Sequence, residues 1–190
     1  MGGGDGGSSG GNGSGLFKTA REAQRKADAG NRSVWNTLFM RADTVAAAVA
    51  AHYGVSKAEL LDASASDLPV RMALGEAQVV AQTKHALADA GVDVAALEAA
   101  ASASGKAAAT RSVARSPVAL LVKNLPYTAD EDELAEMFGK HGSVVRLVLP
   151  PTRTLAVVEF AEPGDARAAF RAIAYKKYQH VPLYLEWAPK

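Results

Sequence analysis

Two apolar runs about thirty residues apart constrain this chain more than any other feature: residues 120–125, Leu-Leu-Val-Lys-Asn-Leu, and residues 153–160, Arg-Thr-Leu-Ala-Val-Val-Glu-Phe. Each is short, rich in branched side chains and bounded by turn residues, so each reads as a strand. Successive side chains of a strand point to opposite faces. Thr154, Ala156, Val158 and Phe160 are therefore expected on one face, with Leu120 and Val122. Arg153, Leu155, Val157 and Glu159 take the other, with Leu121 and Lys123.

Between and after these runs the pattern alternates helix and strand. Thr128 or Asp130 can cap a helix, because Glu131 or Glu133 stands three residues further on, and Leu134, Met137 and Phe138 give it an apolar stripe. Residues 144–149 alternate as a strand and residues 150–152 turn. Asp165 is expected to cap a second helix with Ala166, Ala169, Phe170 and Ile173 inward, and Leu183, Leu185 and Trp187 form the core side of a last strand. The order β-α-β-β-α-β is the α+β, ferredoxin-like arrangement. The two runs resemble the paired signatures of the RNA recognition motif, whose longer member is usually Lys/Arg-Gly-Phe/Tyr-Gly/Ala-Phe-Val-x-Phe/Tyr. That resemblance places the family's three base-stacking positions at Leu121, Leu155 and Val157, none of them aromatic. Stacking is worth roughly 1–3 kcal/mol per base, so the usual mode of single-strand binding is expected to be weak here.

Charge gives little compensation. The chain carries 21 Lys+Arg against 20 Asp+Glu, so no global basic field drives nucleic-acid binding. Lys123 and Arg153 can meet phosphate, but Glu159 and Glu186 share their face. Tyr184 is the one aromatic that strand parity adds there, as a stacking ring or as a tyrosine half-covered at the sheet edge. Residues 175–180, Tyr-Lys-Lys-Tyr-Gln-His, interleave rings and cations as single-strand binders do. Tyr175, Lys176, Lys177 and Tyr178 are thus candidate RNA contacts; the alternative is a two-stranded turn with Tyr175 packed on the helix. Lys18, Arg21, Arg25, Lys26 and Arg32 form a further basic segment, a phosphate contact or a solvated helix face.

The organisation expected is a Gly/Ser tail over residues 1–15, with neither signal nor transit character, a helical extension over 16–93, an Ala/Ser linker over 94–116 and the recognition motif over 117–190. In the extension, Asp43 can cap a helix that stops at Gly54, Ser56 and Glu59 form a capping box, and Asp67 with Pro69 can begin a longer helix carrying Val70, Met72, Leu74, Val79, Val80 and Leu87 to Gly91. Alanine fills many remaining positions and buries little surface, so these helices are expected to lie on something else. Trp35, Leu38 and Phe39 are aromatic and aliphatic anchors for a partner, or staples onto the chain's own helices.

Here a second resemblance becomes specific. Residues 35–39 (Trp-Asn-Thr-Leu-Phe), 59–62 (Glu-Leu-Leu-Asp), 70–76 (Val-Arg-Met-Ala-Leu-Gly-Glu), 174–178 (Ala-Tyr-Lys-Lys-Tyr) and 181–189 (Val-Pro-Leu-Tyr-Leu-Glu-Trp-Ala-Pro) resemble a middle portion of the multiple RNA-binding domain protein 1 family. The resemblance implies a nucleolar factor that associates with small-subunit pre-rRNA, the U3 small nucleolar RNA particle and ribosome assembly proteins. This chain holds one motif where the family holds several.

Other function classes find little support. The chain has no cysteine, which excludes disulfides and thiolate metal sites and favours a reducing setting. Its four histidines are dispersed, so no metal is expected, and no cofactor, nucleophile elbow, phosphate loop or small-molecule substrate is indicated. The longest apolar stretch is far below the roughly 20 residues of a membrane helix. Two binding classes remain: an RNA-contacting assembly factor, and a protein-interaction module whose aliphatic patch of Leu121, Val148, Leu155 and Val157 receives a partner helix or the chain's own extension.

Overall fold

A computed structural model of the chain describes residues 40–62, 67–102 and 114–190. The Gly/Ser tail, the basic segment at 18–32, the anchor residues Trp35, Leu38 and Phe39, and residues 103–113 of the expected linker lie outside the described residues.

Among the described residues four helices precede the sheet: α1 (Ala42–Tyr53), α2 (Lys57–Leu60), α3 (Leu68–Asp89) and α4 (Val94–Ser102). They are followed by β1 (Arg115–Lys123), α5 (Glu131–Gly139), β2 (Val144–Val148), β3 (Ala156–Phe160), α6 (Pro163–Ile173), the two-residue strands β4 (Lys177–Tyr178) and β5 (Val181–Pro182), and β6 (Tyr184–Pro189). The main sheet has the order β2-β3-β1-β6, every neighbour antiparallel, and β4 pairs with β5 in a separate hairpin. This is the expected ferredoxin-like arrangement.

One face of the sheet packs on α5 and α6. Leu120, Val122, Ala156 and Val158 meet Leu134, Phe138, Ala166, Ala169 and Ile173 in a continuous core. Phe138 and Phe160 meet edge to face with centroids 6.4 Å apart, and Phe170 stacks on Trp187 at 5.3 Å. Asp130 caps α5, its carboxylate accepting from the backbone N–H groups of Asp132 and Glu133 at 3.0 and 3.2 Å. The expectation for Asp165 is corrected. The helix begins earlier, at Pro163, whose fixed φ suits a first turn, and Asp165 instead accepts from the Ser143 N–H at 3.0 Å. Gly142 allows that contact: a Cβ there would lie 2.2 Å from the Cβ of Asp165.

The extension is helical as expected, with adjusted ends. Asp43 is not the cap of α1, which starts after Arg41; it sits in the first turn and pairs with Lys57. Gly54 closes α1 in the left-handed region at φ 66°, and Ser56 with Glu59 forms the capping box of α2. The region assigned to a linker is helical in its first part. Asp93 accepts from the Ala96 N–H at 2.9 Å, which starts α4, and Leu97 on that helix is buried. A small core of Val45, Val49, Leu60 and Val79 joins α1, α2 and α3. Gly75 makes it possible, since a Cβ at that position would come within 2.3 Å of Val49 Cγ1.

Candidate nucleic-acid interface

Strand parity places Leu121 and Val157 as expected, on the sheet face turned away from α5 and α6; Leu155, just ahead of β3, points the same way. In the structure this patch is covered by the chain's own extension, one of the occupants considered for it from the sequence. Leu121, Leu155 and Val157 are 2%, 0% and 3% exposed, because Val80 and Leu87 from α3 and Leu97 from α4 lie directly on them. Val80, Thr83 and Leu87 are what α3 turns to the sheet, while Val79 packs on α1 and α2, so the alanine-rich extension completes its burial on the aliphatic face of the neighbouring fold. As a surface for RNA, these three residues are therefore withdrawn.

Polar contacts fix how the extension sits. The Thr44 hydroxyl donates to the carbonyl of Leu125 at 2.6 Å. Thr83 on α3 shares hydrogen bonds with Thr152 at 2.6 Å and Thr154 at 3.3 Å, all three fully or nearly fully buried. Thr154 was expected among α5 and α6; it points to the extension because strand geometry begins only at Ala156, after Arg153 adopts a left-handed φ of 52°. Arg146 on β2 donates to the last-turn carbonyl of Ala90 at 2.6 Å, where a cation also complements the negative end of α3.

The cations expected to meet phosphate are engaged within the chain. Lys123 pairs with Glu186 at 2.5 Å, and Arg115 pairs with the same carboxylate at 3.0 Å. Arg146 pairs with Glu159 at 3.0 Å across the β2–β3 register. Arg153 donates to the Tyr127 carbonyl at 3.2 Å and lies over the Tyr127 ring, 5.8 Å from its centroid. This face is locally neutralised and roofed over.

One edge stays open. Tyr184, opposite Lys123 on the neighbouring strand, is 45% exposed, and Tyr175, just after α6, is 77% exposed. Their ring centroids are 5.7 Å apart with planes tilted by 59°. Tyr175 reaches this position through a left-handed φ of 63°, held by its N–H donating to the Leu183 carbonyl at 2.8 Å. It does not pack on the helix. Lys176 and Lys177 beside it are exposed on the short hairpin. Tyr178 is different and leaves the set of candidate contacts. It is buried, donating to Glu133 at 2.6 Å and accepting from the Asp130 N–H at 3.2 Å; burial and then the Glu133 carboxylate push its hydroxyl above the ordinary value of 10.0. Of the candidate RNA contacts named from the sequence, Tyr175, Lys176, Lys177 and Tyr184 are exposed. It gave no signal for the contacts made by Thr44, Thr83 and Arg146, which depend on which residues meet across a distance of 56 to 81 positions.

Residues 120–183 match the family model described as RNA recognition motif. The chain is 40% identical over 174 residues to multiple RNA-binding domain-containing protein 1 of Dictyostelium discoideum, which covers 92% of this chain and 18% of that protein. It is 43% identical over 178 residues to probable RNA-binding protein 19 of Homo sapiens, covering 93% of this chain and 17% of that one. A solution structure of the second RNA-binding domain of a hypothetical protein is 47% identical, with a TM-score of 0.39, over 45% of this chain and 74% of that one. The chain spans less than a fifth of the length of these two curated relatives. Extension and recognition motif both lie inside the matched region, so the chain carries an RNA recognition motif and is homologous, over about 92% of its length, to a segment of multiple RNA-binding domain-containing protein 1 and RNA-binding protein 19.

Proposed function

We propose that this chain is the RNA-gripping segment of a nucleolar assembly factor for the small ribosomal subunit, acting on pre-rRNA and the U3-containing particle together with assembly proteins. RNA is held at the open edge, with Tyr175 and Tyr184 as stacking rings and Lys176 and Lys177 as phosphate contacts, while the sheet face proper is occupied by α3 and α4. The observation that carries this reading is the convergence of two exposed rings and two exposed lysines beside a sheet whose other cations are paired. Phosphate contacts position a strand and stacking is sequence-tolerant, so this edge suits a large structured RNA recognised with little base reading.

The test is a salt titration of binding to a transcribed small-subunit pre-rRNA segment. Replacing Lys176 and Lys177 with alanine is expected to reduce the slope of log K against log salt by roughly 1.4, at about 0.7 per phosphate of a single strand. Replacing Tyr175 and Tyr184 with alanine should weaken binding with the slope unchanged. Unaltered affinity and slope in both double variants would overturn the assignment. The protein-interaction reading is supported by the burial of Leu121, Leu155 and Val157, and its occupant is then the chain's own extension.

A further inference from the structure

Two exposed arginines on α6 stand apart from the ion pairs of the sheet face. The helix buries Ala166, Ala169 and Ile173, and Phe170 leans off that face to stack on Trp187 of β6 with planes 2° apart. A helix advances about 100° per residue, so Arg167 and Arg171 lie about 60° and 100° beyond Phe170, on the flank turned past β6 to solvent. Both side chains are exposed. β6 is the edge of the sheet, and no further strand covers this flank.

The acids of the neighbouring elements face elsewhere. Asp165 points about 160° around the helix from Arg167 and accepts from the Ser143 N–H. Glu162 precedes the first turn of α6, and Glu186 of β6 is held by Lys123 and Arg115. Among the described residues neither Arg167 nor Arg171 forms an ion pair. Arg171, in the last turn, also complements the negative end of the helix. Arg167, one turn earlier, has no such structural use.

Spacing and sequel narrow the ligand. Four residues of helix rise about 6 Å, so the two guanidinium groups form a single file, one per turn, suited to successive phosphates of one extended strand. A double helix would present two backbones to one row of cations. The row continues through Tyr175, Lys176 and Lys177, all exposed, with the Tyr184 ring 5.7 Å from that of Tyr175. Rings interleaved with cations suit a nucleic acid strand, whereas an acidic peptide would leave the rings unmatched. The guanidinium fork holds phosphate through two parallel hydrogen bonds.

We infer that a single RNA strand leaves the ring pair of Tyr175 and Tyr184 along the outside of α6, with Arg171 and then Arg167 on its next two phosphates. The strand thus passes over the helix layer of the recognition fold and not across its sheet. This rests on the RNA-binding reading and adds to it the path and the single-stranded character of the ligand.

The experiment uses the 190-residue chain and follows the arginine Nε–Hε resonances by NMR while oligouridines of two and six nucleotides, and an RNA duplex, are titrated in. The hexanucleotide should shift Arg167 and Arg171; the dinucleotide and the duplex should not. Arg167→Gln/Arg171→Gln should lower the slope of log K against log salt for the hexanucleotide by roughly 1.4, at about 0.7 per phosphate. It should leave dinucleotide affinity and the urea unfolding midpoint at their wild-type values, and Arg167→Lys/Arg171→Lys should keep the slope. Lys140→Gln, which removes an exposed cation at the end of α5, should not alter it. Arginine resonances silent to the hexanucleotide, an unchanged slope in the glutamine variant, or an equal fall per charge in Lys140→Gln overturns the track. Shifts as large with polyglutamate overturn it in favour of an acidic-protein site. If binding falls in Tyr175→Ala/Tyr184→Ala and is untouched in the arginine variants, the track fails while the RNA reading stands. If only the arginine variants lose binding, the track stands and the ring edge fails.

Discussion

Leu155→Asp should open the extension from the sheet while the recognition fold persists. Leu155 is fully buried, yet its neighbours are Val80, Leu87 and Leu97 and not the α5–α6 core. Burying three such side chains on the extension stabilises the contact by roughly 4.5–9 kcal/mol before ordering costs, at about 1.5–3 kcal/mol each. The substitution removes a comparable contribution from Leu155 itself and adds an unpaired carboxylate, which costs several kcal/mol more while it stays buried. The sum is of the same order as the whole contact, so the contact should release and the carboxylate should reach water. Amide hydrogen exchange reads this directly: protection of α3 and α4 should fall steeply, and that of β1, β3 and α5 should remain. If β1 and β3 lose protection together with α3 at the same denaturant concentration, the two cores are one cooperative unit and the reasoning fails.

Other expectations follow from local geometry. Gly75→Ala should push α1 off α3, because its Cβ meets Val49 at 2.3 Å; a loss of about 1–3 kcal/mol confined to α1–α3 exchange would mark it, as overpacking does elsewhere. Asp130→Ala should lower stability by about 0.5–2 kcal/mol in urea unfolding, since two backbone donors lose their cap. Tyr178→Phe tests a linkage with a definite sign. The folded hydroxyl titrates above 10.0, so the stability it contributes is fully present below the unfolded value and is lost as pH rises through the raised folded one. The wild-type chain should therefore lose stability in that alkaline window more steeply than the phenylalanine variant, with ultraviolet titration of tyrosinate as the check.

Alternation of side chains along residues 120–123 and 156–160 was sufficient to assign the two faces of the sheet, because a strand's period of 2 leaves no other choice once one face is buried. Spacing of Leu134, Met137 and Phe138, and the capping box at Ser56 and Glu59, likewise specified helices from local chemistry alone. Helix α4 escaped because alanine and serine carry almost no periodic signal; the informative residues were only Asp93 as a cap and Leu97 as the buried contact. Exposure of Tyr175 and burial of Tyr178, three residues apart in the same basic run, had no signature in composition. They differ because a left-handed turn at Tyr175 and the β4–β5 hairpin send one ring toward Tyr184 and the other toward Glu133.

The sequence by itself thus determined the motif, the order of its strands and helices along the chain, the aliphatic character of the outer face and the need of the alanine-rich helices for a surface other than their own. Only the tertiary structure decided that each of these last two features answers the other. Burial is a property of pairs brought together over long separations, as with Thr44 and Leu125 or Arg146 and Ala90, and such pairs are set by packing and not by local propensity. The same meeting of α3 and α4 with β1 and β3 decided which residues of that face are buried and which stay exposed.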